Sequence, residues 1–472
     1  MLPGKSQGGS RYTFLNSQSF NIMDGSGSFT GQSVHTESTL LLKSNGIKEK
    51  TSQNYRSLPS NCRKLAVLIS CVMQLVVCSG IGYGLSVMYA ELVIVFNAKR
   101  ADAAWIQSLY AGLSCATGIF FAGFIKRFGP GRCIVFGGVM SGIGLFASAF
   151  ASGLIPIILW TGVFAGVTTG ICYLGAFIAT GLMFPENASF YLISLTIGNS
   201  LGQFIVPLLF ETFISQYSWA GAFILIAGVS LQCVPCGIII HYSKRFFPKV
   251  NVSTSPTSNA FCDKSLLSDL VIWLVLLNFI LNSTTGNVEA WFIVDHMISR
   301  GFPRESGSIT VSVLGIGNCL GRVVGAILRF HCVNFPTINH WIYLCLINAG
   351  LHAIIINLYD YWSILVSCFV FGISFGTTVA QTPAIMYEGT GLDRYPQGMA
   401  LVNIMCGLGN MFGPLLGGLI KDVLGSYDVS FYLSSGVGVY ISLNTLIVAF
   451  LMRRRRRADS ANSVKYSLVE SK

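Results

Sequence analysis

The chain has 472 residues, 52% of them hydrophobic and 10% charged, whereas soluble domains carry about 25% charged residues. That balance leaves no room for a soluble domain and points to a protein that crosses a membrane many times. The net charge of +11 sits mainly beside apolar runs, with no basic face interleaved with aromatics, so a nucleic-acid partner is excluded.

Residues 1 to about 60 are rich in Ser, Gly, Asn, Thr and Lys and hold no sustained apolar run, which predicts a disordered tail over 1–64. No basic start is followed by an apolar core, so a cleavable signal peptide is not expected. After Arg63-Lys64 come about twelve apolar spans of the ~20 residues a bilayer requires. They lie at 65–90, 103–125, 133–152, 155–182, 189–213 and 219–240, then at 267–290, 307–329, 338–358, 361–386, 398–420 and 429–452. The predicted organisation is a six-helix half over 65–240, a polar loop over 241–266, a second half over 267–452 and a basic, disordered tail over 453–472.

Lys and Arg concentrate on one side of these spans, which places both termini in the cytoplasm. Lys99, Arg100, Arg300 and Arg304 are exceptions on the other side. The run Arg453–Arg457 reads as a stop-transfer flank that also attracts anionic lipids. A plasma-membrane location is expected. Most of the 14 cysteines, such as Cys71, Cys78, Cys115, Cys172, Cys319, Cys368 and Cys406, fall inside apolar runs and read as small buried residues. Cys233-x-x-Cys236 lies in an apolar helix and is read as packing ahead of redox or metal binding.

The first span carries Gly80, Gly82 and Gly84, which either pack closely or permit bending, with Tyr83 and Ser86 as candidate contacts to a solute. In the fourth span Gly162-x-x-x-Gly166-x-x-x-Gly170 predicts a helix contact, and Tyr173 lies one turn later. The seventh span sets Asn278, Asn282, Thr285 and Glu289 on one face. Interhelical hydrogen bonding and solute binding are both open for that stripe. The run Asn282-Ser-Thr-Thr-Gly-Asn287 weakens the helix locally, and Glu289 is a candidate for titration or gating.

The eighth span, Ser312 to Phe330, holds a guanidinium well inside an apolar run. A charge at membrane depth costs about 2.5–3.5 kcal/mol on insertion scales, so Arg322 is read as functional. Ser312, Gly315, Asn318, Arg322, Gly325 and Arg329 fall within an arc of about 140°, which predicts a face lining a polar passage. Either Arg322 braces backbone carbonyls, or its planar fork receives a carboxylate through two parallel hydrogen bonds.

An internal repeat sets the architecture. Gly123-Phe-Ile-Lys-Arg127-Phe128 closes the second span and Gly325-Ala-Ile-Leu-Arg329-Phe330 the eighth. Gly198-Asn199-x-x-Gly202 in the fifth span matches Gly409-Asn410-x-x-Gly413 in the eleventh. Each partner lies six helices downstream, about 200–211 residues away. Two parallel six-helix halves with a site near the midplane between them is the expected all-α fold. The position equivalent to Arg322 in the first half is Phe120, so the charge is not part of the repeat.

Gly123-x-x-x-Arg127-Phe-Gly129-Pro-Gly-Arg132 resembles the loop between the second and third helices of major facilitator proteins, with Lys126 where an acidic residue is usual. Trp105-Ile-Gln-Ser108, Gly413-Pro414-Leu-Leu-Gly417, Asp422, Tyr427-Asp428, Phe431-Tyr432 and Arg322 extend the likeness to the monocarboxylate transporters over about residues 65–455. The resemblance implies carriage of a small organic anion by alternating access. It also implies a conformational role for Gly123, Arg127, Gly129 and Arg132, and a single-span accessory glycoprotein as partner. The residues depart from proton-coupled members, in which an Asp stands at Asn318 and a first-helix lysine at Tyr83. Phe184-Pro-Glu-Asn187 replaces a basic cluster, and the usual motif before the first helix is not recognisable near Asn61-Cys-Arg-Lys64.

An enzyme is not expected: the six His make no metal spacing or i,i+4 pair, and no nucleotide loop occurs. No cofactor or metal is expected. The candidate solute contacts are Arg322, Asn318, Asn282, Tyr83, Ser86 and Tyr173. A facilitator of aromatic amino acids or another larger solute, or a solute sensor on the same fold, are the alternatives.

Overall fold

A computed structural model describes residues 61–184, 188–244, 268–331 and 336–470, and nearly all of them are helical. The tail expected at 1–64 therefore lies outside the described residues except for its last four, which already belong to the first helix. Most of the 241–266 loop lies outside them as well. Ten stretches among the described residues are long and apolar enough to cross a membrane. One of these, Ser194–Ser243, is two helices, because Ser218 leaves the helical region at φ 62° and ψ 177°. Arg100–Phe128 adds a further helix of 29 residues, which makes twelve.

In chain order they are α1 (Asn61–Val95), α2 (Arg100–Phe128), α3 (Pro130–Ser148), α4 (Leu154–Met183), α5 (188–217) and α6 (219–243). The second half holds α7 (Leu270–Ser299), α8 (Arg304–His331), α9 (Thr337–Asn357), α10 (Tyr361–Thr390), α11 (Gln397–Leu424) and α12 (Asp428–Arg455). The connections after α1, α3, α5, α7, α9 and α11 share one end of the bundle, here the odd-loop end. Two differences from expectation stand out. Helix α7 runs past its expected end at 290 to Ser299 and is broken into Leu270–Thr285 and Val288–Ser299. The basic segment after Arg453 continues α12 as helix to Glu470 instead of forming a disordered tail, consistent with the strong helix propensity of Arg and Ala.

The repeat is visible in which helices pack together. Pairs α1·α5, α2·α4 and α3·α6 in the first half recur as α7·α11, α8·α10 and α9·α12 in the second, and the halves meet along α2·α11 and α5·α8. The paired Gly-Asn motifs explain the first of these correspondences. A Cβ on Gly202 would lie 2.3 Å from the Val76 carbonyl oxygen, and one on Gly413 would lie 2.5 Å from that of Thr284. In both halves the motif lets the fifth helix lie backbone-to-backbone against the first, where van der Waals contact rather than water exclusion drives association in lipid.

Candidate functional site

The site is organised by α8, which presents two different faces. Gly317 and Gly321 face α10, where an added Cβ would come within 2.3 Å of the Phe369 carbonyl oxygen and 2.1 Å of that of Ile373. Gly315, Asn318 and Arg322 face α5 across the boundary between halves. A Cβ on Gly315 would lie 2.7 Å from the Phe204 backbone nitrogen. The expected passage-lining face is therefore, over its N-terminal turns, a tight contact with α5. Ser308 fits the same description, donating to the Pro207 carbonyl at 2.9 Å. Gly325 turns instead toward Ala380 on α10.

Arg322 is 7% exposed. Its Nε donates to Ser200 Oγ on α5 at 2.8 Å and to Asn318 Oδ1 at 3.2 Å. Asn318 Nδ2 in turn donates to Gln203 Oε1 at 2.9 Å. Two neutral side chains of one half and one of the other thus fix the guanidinium by its Nε edge. Its two Nη groups make no hydrogen bond among the described residues. Tyr83 and Tyr173 are within electrostatic reach of it. Tyr173 is held by a relay, Ser79 Oγ donating to Asn199 Oδ1 (2.8 Å) and Asn199 Nδ2 donating to Tyr173 Oη (3.2 Å). The hydroxyl of Tyr83 has no such partner among the described residues. Side chains of α1, α4, α5 and α8 therefore converge on one guanidinium, with no carboxylate among the described residues bonded to it.

The other candidates are placed differently. Ser86 is buried and donates to the Tyr83 carbonyl of its own helix. Gly80 and Gly84 are packing positions, crowded by Val206 and Phe210 of α5. Asn278 bonds to Thr445 and Asn444 of α12, so the interhelical reading holds for it. Asn282 is half-buried, its side-chain amide makes no hydrogen bond among the described residues, and its carbonyl accepts from Gly286 N at the break in α7. That break disrupts the expected continuous stripe: Glu289 turns to α9, where its Oε1 lies 2.5 Å from His352 Nδ1. In the loop motif, Gly129 takes φ +89° between α2 and α3, a region suited to glycine. Gly123 meets open space, and Arg127 and Arg132 are exposed. No group of three or more His, Cys, Asp or Glu among the described residues is arranged to hold a metal ion.

A second polar cluster, absent from the sequence reading, ties the halves at the odd-loop end. Arg100 Nε donates to Asp295 at 2.7 Å, and Tyr427 Oη donates to the same carboxylate at 2.6 Å while meeting Tyr89 Oη at 3.0 Å. Asp422 accepts from the backbone N–H groups of Arg100 and Ala101 at the start of α2. Arg304, at the start of α8, bonds to Glu211 of α5 at 2.7 Å and to Glu91 of α1. Arg300 donates to the carbonyls of Leu358 and Ile356. Three of the four bases that broke the charge rule are accordingly engaged in pairs or caps. That exception was the signal the sequence offered. At the opposite end the Arg455–Asp269 pair and the bond of Glu388 to Thr337 stay within one half.

The family model for the Major Facilitator Superfamily matches residues 72–392. The chain belongs to that superfamily. Within it the chain is a divergent monocarboxylate-transporter-like member. It is 24% identical to monocarboxylate transporter 3 of Rattus norvegicus over 390 residues, covering 78% of each chain. Against monocarboxylate transporter 13 of the same species it is 24% identical over 387 residues, 80% of this chain and 88% of the relative. Among solved structures it superposes on a peptide transporter of the POT family in complex with sulfate, with TM-score 0.65 and 13% identity, covering 82% of this chain and 95% of the other. It also superposes on a bacterial homologue of the human lysosomal transporter Spinster in an inward-facing, occupied conformation, with TM-score 0.61 and 14% identity, covering 84% and 98%. Those two likenesses concern the fold alone.

Proposed function

We propose that this superfamily member is a secondary transporter that carries a small organic anion, a monocarboxylate, by alternating access. The observation that carries the reading is the state of Arg322: buried, fixed through Nε by Ser200 and Asn318, with both Nη groups unbonded. Such a guanidinium favours a carboxylate that takes both Nη hydrogens end-on, because charge-assisted bidentate bonds offset the desolvation of each partner. The location between α5 and α8 supports alternating access, since a solute bound there contacts both halves and is released as they part. The odd-loop end is the outer end in this reading, with both termini cytoplasmic and the protein in the plasma membrane, so the Arg100 and Arg304 clusters close the outer gate. Asn318 and the absence of a carboxylate bonded to Arg322 argue against proton coupling at this site.

Tyr83 and Tyr173 beside the guanidinium favour a second reading, a carboxylate that also carries a ring, as aromatic amino acids do. Uptake of labelled lactate, pyruvate and aromatic amino acids into vesicles containing the purified protein separates the two. Saturable uptake of the short carboxylates supports the first reading, and uptake of ring-bearing solutes alone supports the second. Failure of every carboxylate would reject both.

A further inference from the structure

We infer that the groove between α9 and α12, at the end where α9 starts and α12 leaves the membrane, is a binding site for one anionic phospholipid. The inference goes beyond the carrier reading and does not depend on the solute. It also differs from the diffuse attraction expected of the basic run, because it places a single lipid against named side chains.

The groove has a volume of about 670 Å³. It lies on the outer flank of the second half, since α9 and α12 pack chiefly on helices of that half. Asn339, in the first turn of α9, and Arg453, at the end of α12, stand at its mouth. At 1.5 Å per residue, Leu446 lies about 10 Å deeper than Arg453. Between these levels the walls are apolar, with Tyr343, Ile447 and Phe450 41%, 54% and 66% exposed. The Tyr343 hydroxyl is bonded to His340 Nδ1 at 2.5 Å, which meets its polar requirement and leaves the ring as a wall. A groove that is basic at its mouth and apolar within matches a phospholipid, with the headgroup at the surface and an acyl chain inward.

Two unsatisfied side chains set the chemistry at the mouth. Asn339 is 6% exposed, and its Nδ2 has no hydrogen-bond partner. Leaving a buried amide N–H unpaired is costly, and a half-turn of the amide exchanges its two ends and offers the donors to the groove. Arg453 is exposed and makes no ion pair or hydrogen bond among the described residues. The described carboxylates at this end are already engaged. Asp269 bonds to Arg455 at 2.6 Å, and Glu388 accepts from Thr337 Oγ1 at 2.6 Å. A lipid phosphate that takes Arg453 and the Asn339 amide supplies the anion and the acceptor that the protein does not. A second copy of this chain, or another membrane span, matches the mouth less well. Spans carry Lys and Arg at their cytoplasmic ends, which would set base against Arg453–Arg457. With both termini cytoplasmic, the groove opens in the leaflet that holds the anionic lipids.

Native mass spectrometry of the detergent-purified full chain tests this, with dioleoylphosphatidylserine and dioleoylphosphatidylcholine added in turn. The wild type is expected to bind one phosphatidylserine about tenfold more tightly than phosphatidylcholine. Arg453→Ala should weaken phosphatidylserine about tenfold. Arg454→Ala, the same loss of charge outside the groove, should stay within about twofold of wild type. Asn339→Leu, which replaces the unpartnered amide by an apolar group of similar size, should weaken phosphatidylserine about threefold and keep the melting temperature. Ile447→Trp, which fills the groove, should weaken both lipids. Equal losses in Arg453→Ala and Arg454→Ala would mean diffuse charge attraction only and would overturn the proposal. So would equal affinity for the two lipids, binding that does not saturate at one copy, or a dimer that Ile447→Trp dissociates. No transported solute is present, so failure here leaves the carrier reading untouched, and failed uptake leaves this measurement interpretable.

Discussion

Removing Arg304 should open the odd-loop end. This one side chain bridges three helices, joining α8 to Glu91 of α1 and Glu211 of α5. A hydrogen bond to a charged group is worth about 1.5–3 kcal/mol when buried. The three side chains are 20%, 18% and 13% exposed, so water access lowers the combined contribution of the two bonds to about 2–4 kcal/mol. Arg304→Ala also leaves two carboxylates facing each other. If the closed form outnumbers the open by about 99 to 1, that loss brings the ratio to between about 3:1 and 1:9.

The assay is a distance measurement between spin labels at Ser152 and Tyr359, exposed loop positions of the two halves at that end. The background replaces Cys62, Cys262 and Cys332 by Ser. A longer-distance population that grows in Arg304→Ala, and grows less in Arg304→Lys, which keeps the charge but not the two-sided fork, is the expected outcome. A distribution identical to wild type would mean that the bridge does not hold the halves together.

Three further changes separate packing from chemistry. Gly202→Ala puts a Cβ against the Val76 carbonyl and should destabilise the protein by about 1–3 kcal/mol, seen as a lower melting temperature in detergent. Gly228→Ala, where a Cβ meets nothing within 4 Å, should be neutral or stabilising by up to about 1 kcal/mol. Ser200→Ala removes the bond that aims Arg322 and should raise the KM for the transported anion about tenfold while leaving the melting temperature near wild type. Asn318→Asp places a carboxylate beside the guanidinium; uptake should fall at neutral pH and recover on acidification, as protonation of the introduced group frees Arg322.

Much of the fold was legible because lipid imposes strong rules. Apolar runs located the helices, and the repeated Gly-Asn-x-x-Gly motif located the duplication, although its physical role, backbone contact between the first and fifth helices of each half, needed coordinates of both partners. The close passage of α8 over α10 escaped notice because Gly317 and Gly321 are unremarkable among 51 glycines until Gly372 and Gly376 are seen opposite them. Arg322 was legible because a lone charge in an apolar run is costly. Ser200 and Gln203 were not, since nothing in a sequence says which hydroxyl or amide in another half faces a given arginine. His352 was missed for a related reason: sixty-three positions separate it from Glu289, and only the fold brings them together. The break at Gly286 was foreshadowed by its polar run, but its consequence, the redirection of Glu289 away from the Asn278 stripe, was not.

The most direct test of the account is anion uptake by Arg322 variants of verified fold, in vesicles containing a carboxylate that the wild type transports. Arg322→Ala should abolish saturable uptake, and Arg322→Lys, which keeps the charge but not the planar fork, should lose at least about tenfold in kcat/KM. Normal affinity and rate in Arg322→Ala would contradict the assignment of this guanidinium as the anion's binding partner.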